Sequence, residues 1–429
     1  MKRWILRVVA ILVACIAAVE VAGALFFLWQ NGRLIYANRT GPSATAVAVT
    51  TEGGLRQRLH PYFGFAGPYD KTIGPLHTNS AGFIQREPIA LPFTPAADDV
   101  VIAVSGGSVA SRLILAGLGG VPLRDALQAI PALAGKRVVI ISLAQGAAKQ
   151  PQQLLALSYL LALGQRVDLV INIDGFNEFT LGYQNDRGGL HPVLPAAQMI
   201  VPLAVQSCDA PPCRHFLDLA TRVAESKAAM DKYSDAARRA RNGLSLVKAY
   251  VLAGWNRHKH AGAFREYWPL LNQPGMPFVA DRFSLDMPYT PLGPRVFDLL
   301  FDLWLHSSQQ MKLLSVANGA RYLHVVQPNQ YYSKHVFSEH EKQIALLAPE
   351  SHEFHHGVAV GYALLQERQA VLDANGIVSA VSLFDEEPDE VYMDNCCHYT
   401  AKGEGLLGRF VAAEVERRLE SAPLIPTRP

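Results

Sequence analysis

The chain has 429 residues, of which 50% are hydrophobic and 18% charged, enough apolar material for a large core and too little charge for a disordered polymer. A formal net charge of +2 gives no broadly basic surface, so no nucleic acid is expected as a partner.

The first segment, Met1-Lys2-Arg3-Trp4-Ile5-Leu6-Arg7, is basic, and the run from Val8 to Trp29 is apolar with Glu20 as its one charged residue. That length suffices to cross a bilayer as one helix, with Trp4 and Trp29 near the two interfaces. Basic residues at the start predict a cytoplasmic N-terminus and a body on the far side. Leu12-Val13-Ala14-Cys15 also resembles a lipoprotein cleavage box, so a cleaved signal is the alternative. The apolar run continues well past Cys15, however, and this favours an uncleaved anchor.

Residues 30–98 have no clear period and are rich in Gly, Pro, Thr and Ala; they read as a short linker and a segment that packs on the domain beginning at residue 99. Val100-Val101-Ile102-Ala103-Val104 then reads as a buried parallel strand, ended by Ser105-Gly106-Gly107-Ser108. Paired glycines permit a sharp strand-to-helix turn, which sets Ser108 at a helix N-terminus where backbone N–H groups favour negative charge. Ser108 is therefore either a helix cap or a nucleophile. Ser105 is the rival nucleophile, but it falls before both glycines, still inside the strand.

A second strand, Val138 to Leu143, ends in Ala144-Gln145-Gly146 and leads to a helix over 152–164. The third, Val167 to Ile173, ends in Asp174-Gly175-Phe176-Asn177-Glu178. Residues 180–292 then read as a largely helical insertion, with a Pro-rich piece at 192–212 and one long helix over 215–255. That helix carries Lys227, Lys232, Arg238, Arg239, Arg241 and Lys248, a load that suits a solvated face or a surface meeting lipid headgroups or an acidic glycan. Beyond a helix over 295–317, a fourth strand is expected at 320–326, a helix at 355–374, a fifth strand at 378–384 and a last helix at 401–419. Between the last two lies Met393-Asp394-Asn395-Cys396-Cys397-His398-Tyr399-Thr400.

This order predicts an α/β fold, a doubly wound three-layer α/β/α sandwich around a parallel, roughly five-stranded sheet, with an N-terminal transmembrane helix and a helical insertion. Its parts are an anchor (1–33), a linker and packing segment (34–98), a sheet domain in two pieces (99–179 and 293–429) and the insertion (180–292). Ser108, Gly146, Asn177 and His398 each follow a strand or lie near the last helix. In such sheets that edge is where ligands bind.

Serine, glycine, asparagine and histidine in this chain order, over roughly 60–415, resemble the four blocks of the SGNH (GDSL-like) hydrolase family. Gly106-Gly107-Ser108 stands where the family typically has Gly-Asp-Ser, and Asp174-Gly175-Phe176-Asn177-Glu178 resembles its Gly-x-Asn-Asp. Leu59-His60-Pro61-Tyr62-Phe63-Gly64-Phe65 and Thr78-Asn79-Ser80-Ala81-Gly82-Phe83 are similar to the lead-in of bacterial members. The resemblance implies a serine esterase with Ser108 as nucleophile, His398 as general base, and an oxyanion hole from the N–H groups of Ser108 and Gly146 and the Asn177 amide. The family usually has Asp three residues before the histidine. Here Asn395 stands there and Asp394 one position earlier; Asp394 is the expected partner because only a carboxylate stabilises the imidazolium by charge. A Ser–His dyad oriented by a backbone carbonyl is the alternative.

The expected substrate is an ester on a cell-envelope carbohydrate or lipid, with the body in the periplasm, held on the bacterial inner membrane through residues 4–29. Acyl transfer to an exported polysaccharide by the same residues is the alternative, and a catalytically silent binding or assembly protein is a third reading. No cofactor and no metal are expected: the Cys spacings are not those of a zinc site, and His352, His355 and His356 read as a loop or helix start. Cys208, Cys213, Cys396 and Cys397 leave disulfide pairing open, including a strained vicinal bond or free thiols.

Overall fold

The computed structural model describes residues 2–37, 57–73, 76–115, 122–200, 211–271 and 289–421. Cys208 and the linker at 38–56 lie outside the described residues. The chain divides into two compact units, one formed by 1–46 with 208–270 and the other by 47–207 with 271–429.

The larger unit is α/β, built on a five-stranded parallel sheet. Its strands are β6 (Asp99–Gly106), β7 (Arg137–Ala144), β8 (Leu169–Asp174), β9 (Arg321–Val326) and β10 (Ile377–Ser379), in the spatial order β10-β9-β8-β6-β7. Among the described residues five shorter strands precede them: β1 (Arg58–His60) pairs with β2 (Gly64–Ala66), and β3 (Thr72–Ile73), β4 (Leu76–Thr78) and β5 (Ile84–Gln85) form an antiparallel trio. The aperiodic segment after the linker therefore contains small sheets whose two- and three-residue strands are too short to show alternation.

β6 is apolar throughout because both its faces are covered. Val100, Ile102 and Val104 enter one core cluster, while Val101 and Ala103 enter another with Leu157, Leu160 and Met311. Register brings the strand ends level: Gly106 lies opposite Ala144 on one side and Ile173 on the other. The chain goes from β6 to β7 on one flank and then to β8 on the other, so the order reverses around β6. Crevices at such switch points are where open α/β sheets bind ligands.

Among the described residues the helices of this unit include α2 (Ser108–Leu115), α3 (Pro122–Gln128), α4 (Gln152–Ala162), α5 (Phe176–Arg187), α8 (Val296–Ala317), α9 (Glu339–Ala345), α10 (Glu353–Glu367), α11 (Gln369–Asn375) and α12 (Ala401–Ser421); α1 (Lys2–Asn31), α6 (Pro211–Arg238) and α7 (Gly243–Leu271) belong to the smaller unit. Two differences from the sequence expectation have local causes. The fifth strand stops at Ser379, because the chain turns at 380–384 to bury Phe384 edge-on against Tyr392 and Tyr399. The helix expected at 355–374 begins at Glu353, with the His352 side chain accepting from the Phe354 N–H, and is divided at Arg368.

The smaller unit joins parts that the sequence reading kept apart. Only part of the 180–292 insertion separates from the sheet, and that part clusters with the N-terminal helix. The single long helix expected over 215–255 is two helices, α6 (Pro211–Arg238) and α7 (Gly243–Leu271). The reason lies in α1 (Lys2–Asn31): the Glu20 carboxylate accepts the backbone N–H groups of Gly243 at 2.9 Å and Leu244 at 2.6 Å. An acidic side chain thus caps the positive end of α7. Phe27, Ile35, Ala237, Ala240, Leu246 and Ala249 form the apolar core beside it. Helix α1 is continuous through Cys15, and its stretch Val13–Asn31 is long and apolar enough to cross a membrane.

Candidate active site

Ser108 opens α2 immediately beyond β6, and the two glycines before it are required by close packing. Gly106 has φ of +141°, and a Cβ there would stand 2.1 Å from the Ile173 carbonyl oxygen. A Cβ on Gly107 would stand 2.4 Å from Asn177 Nδ2. The turn is therefore tight because the Asn177 amide is pressed against it. Ser105, the rival, is fully buried within β6, and its Oγ has no hydrogen-bond partner among the described residues.

His398 Nε2 lies 2.8 Å from Ser108 Oγ, and His398 Nδ1 lies 2.5 Å from Asp394 Oδ2. The four-residue offset works because 394–398 forms a tight loop around one carboxylate. Asp394 Oδ1 accepts the backbone N–H groups of Cys396 at 3.0 Å, Cys397 at 3.1 Å and His398 at 3.3 Å, leaving Oδ2 for the imidazole. Three side chains just past β9 grip the loop's carbonyls from outside. Asn329 Nδ2 donates to Cys396 O, Gln330 Nε2 to Asp394 O and Tyr331 Oη to Asn395 O. From the other side, Arg112, one turn after Ser108 on α2, pairs with Glu404 at 2.7 Å and donates to Met393 Sδ at 3.1 Å. These holders were not singled out in the sequence; only Arg112, four residues after Ser108 on a helix, carried a spacing signal.

The electrostatics follow from this packing. Burial raises the Asp394 carboxyl, but hydrogen bonding and charge from His398 prevail and hold it below its ordinary value. Burial lowers His398, but the negative charge of Cys397 and the bond to Asp394 prevail and hold the imidazole above its ordinary value. The thiols of Cys396 and Cys397 are free, with sulfurs 2.8 Å apart, and Cys397 Sγ lies 4.0 Å from Ser108 Oγ. No vicinal disulfide is formed.

Gly146 and Asn177 flank the serine. The ideal Cβ position of Gly146 is 4.0 Å from Ser108 Cβ, and Asn177 Nδ2 donates to Ala148 O at 2.7 Å. Glu178 fixes that arrangement by joining the two turns: it accepts from Gln150 N at 3.1 Å, Gln153 Nε2 at 2.9 Å and Gly175 N at 2.8 Å. Burial, with Asp174 nearby, pushes its carboxyl up to about 8. Burial also pushes the Lys149 ammonium down to about 7, and its Nζ donates to Pro192 O. Beside Gly146 is a recess lined by Gln57, Gly67, Gly82, Ile84 and Ser111.

The fold contains a second Ser–His–Asp series, and its surroundings decide its role. Ser308 Oγ and Asp174 Oδ1 each lie 2.7 Å from a nitrogen of His324. All three are sealed in the core, and Trp304 Nε1 also donates to Asp174 at 2.8 Å. This is a satisfied polar network with no access for a reactant. In the first series, by contrast, the side chains of His398 and Asp394 are 22% and 35% exposed.

Comparison of the chain with protein-family models found no match, and comparison with curated proteins found none either.

Proposed function

We propose that the protein is a serine esterase of SGNH type, with a three-layer sandwich fold, that cleaves carboxylic esters through an acyl-enzyme on Ser108. The observation that carries the reading is the solvent-accessible relay Ser108–His398–Asp394, with contacts of 2.8 and 2.5 Å, at the switch point of a parallel sheet. An unaided hydroxyl is a weak nucleophile, and an adjacent oriented base corrects this.

In the first half-reaction, which requires the raised His398 to have released its Nε2 proton to solvent, Ser108 Oγ attacks the acyl carbonyl carbon while its own proton passes to that nitrogen. Asp394 keeps Nδ1 protonated and stabilises the imidazolium. The oxyanion lies against the N–H groups of Ser108 and Gly146 and the Asn177 amide. Collapse breaks the bond to the alcohol, which leaves with the proton from His398. Water then loses a proton to His398 and attacks the acyl-serine, and collapse releases the carboxylic acid and restores Ser108.

With α1 as a membrane anchor, the sheet unit on the periplasmic side of a bacterial inner membrane would meet esters of envelope glycans or lipids. The full chain in detergent should hydrolyse an activated short-chain ester, and a fluorophosphonate should label Ser108. Turnover that persists in Ser108→Ala would reject the reading. Acyl transfer to an added glycan exceeding hydrolysis would replace it with the transferase.

A further inference from the structure

The loop that presents His398 also presents two thiols that the proposed reaction does not use. Cys396 Sγ, Cys397 Sγ and a His398 ring nitrogen all lie within 4.8 Å of one another. Spacing alone argued against a metal here, since the cysteines are adjacent and not separated as in zinc-binding loops. The folded loop removes that objection, because Asp394 gathers the N–H groups of three consecutive residues and turns their side chains to one side.

We propose that Cys396, Cys397 and His398 form a site for one soft divalent cation, zinc or cadmium, whose binding takes the base away from Ser108. Two thiolates and an imidazole are the ligand types such ions prefer. His398 is already arranged as a metal-binding histidine is, with Nδ1 held by a carboxylate and Nε2 left to face the ion. Ser108 Oγ, 2.8 Å from Nε2 and 4.0 Å from Cys397 Sγ, borders the fourth position, where it or a water would complete a tetrahedron. Thiolates sharing one zinc ion stand about 3.8 Å apart, given bonds of about 2.3 Å, so the pair must open by about 1 Å. Cys396, which is less buried than Cys397, is the one that would turn. On binding, the proton of Cys396 and the one held between Cys397 and His398 pass to solvent, and no electron is transferred. The Nε2 lone pair then goes to the metal, and His398 can no longer accept the serine proton.

Occupancy of the site is independent of the esterase reading; its inhibitory effect rests on it. The full chain in detergent, kept reduced with a phosphine, is titrated with cadmium chloride. Ultraviolet cadmium–thiolate absorption and ester turnover are followed together. The expected result is one cadmium per chain, turnover lost in parallel, and recovery on adding a chelator. Cys396→Ser should weaken cadmium binding about 100-fold, and Cys397→Ser provides a second test. Absence of the thiolate band, a band unchanged in both variants, or full turnover with the band saturated would each overturn the proposal. A saturable band in a chain that never hydrolyses any ester would keep the metal site and reject the esterase.

Discussion

His398 and Ser108, 290 positions apart in the chain, meet at 2.8 Å because two elements beyond different strand ends are clamped together by Arg112 and Glu404. The hydroxyl, the imidazole and the carboxylate form one line, and each has a distinct expected effect when removed.

Ser108→Ala removes only an oxygen from a partly exposed position. Ester turnover should fall to background and fluorophosphonate labelling should vanish, while the thermal unfolding midpoint stays within about 1 °C of the parent, as a surface change would leave it. Labelling that persists would move the nucleophile elsewhere.

Asp394→Asn keeps the size of the side chain but removes the charge and permits the wrong imidazole tautomer. A loss in kcat of up to about 10⁴-fold is expected, with KM little changed. Asn395→Ala, at the position where the resemblance would put the acid, should cost less than about threefold, because His398 Nδ1 is already held by Asp394. Equal losses in the two variants would contradict the assignment.

Asn177→Ala removes an amide donor beside the serine. It should reduce kcat by about 10²–10³-fold, equivalent to about 3–4 kcal/mol. Steady-state kinetics on one activated ester suffices. A change confined to KM would mean that the amide binds substrate without favouring the transition state.

Glu178 makes stability depend on pH with a defined sign. Its folded carboxyl is pushed up to about 8 from an ordinary value of 4.5, so between those values the folded chain holds a proton that the unfolded chain has lost. Wild type should therefore lose stability relative to Glu178→Gln as pH rises from about 4.5 to 8. Denaturant unfolding of both proteins across that window measures the difference; a constant or increasing wild-type advantage would show that the carboxyl is ionised in the fold.

Four of the five sheet strands were legible because burial on both faces makes them nearly continuous apolar runs, as in Val100 to Val104. That Ser108, Gly146, Asn177 and His398 lie close together was legible because each follows a recognisable element, and the contact of Asp394 with His398 because charge chemistry favoured it over the nearer Asn395. Other features depend on contacts between distant segments. The shortened fifth strand is set by Phe384 packing on Tyr392 and Tyr399, and the interruption after Arg238 by a side chain from α1. Cys397 beside Ser108 was not legible, because only the fold of the 394–398 loop brings them together.

Glu20 gives the N-terminal helix a packing duty that its apolar composition alone does not reveal. A chain trimmed after residue 31 loses the acceptor for two peptide N–H groups at the start of α7 and strips Phe27 from the small apolar core. Replacing α1 with an unrelated hydrophobic helix would leave the same N–H groups bare. The preparation that retains the native start of α7 is therefore the one that keeps its own first helix.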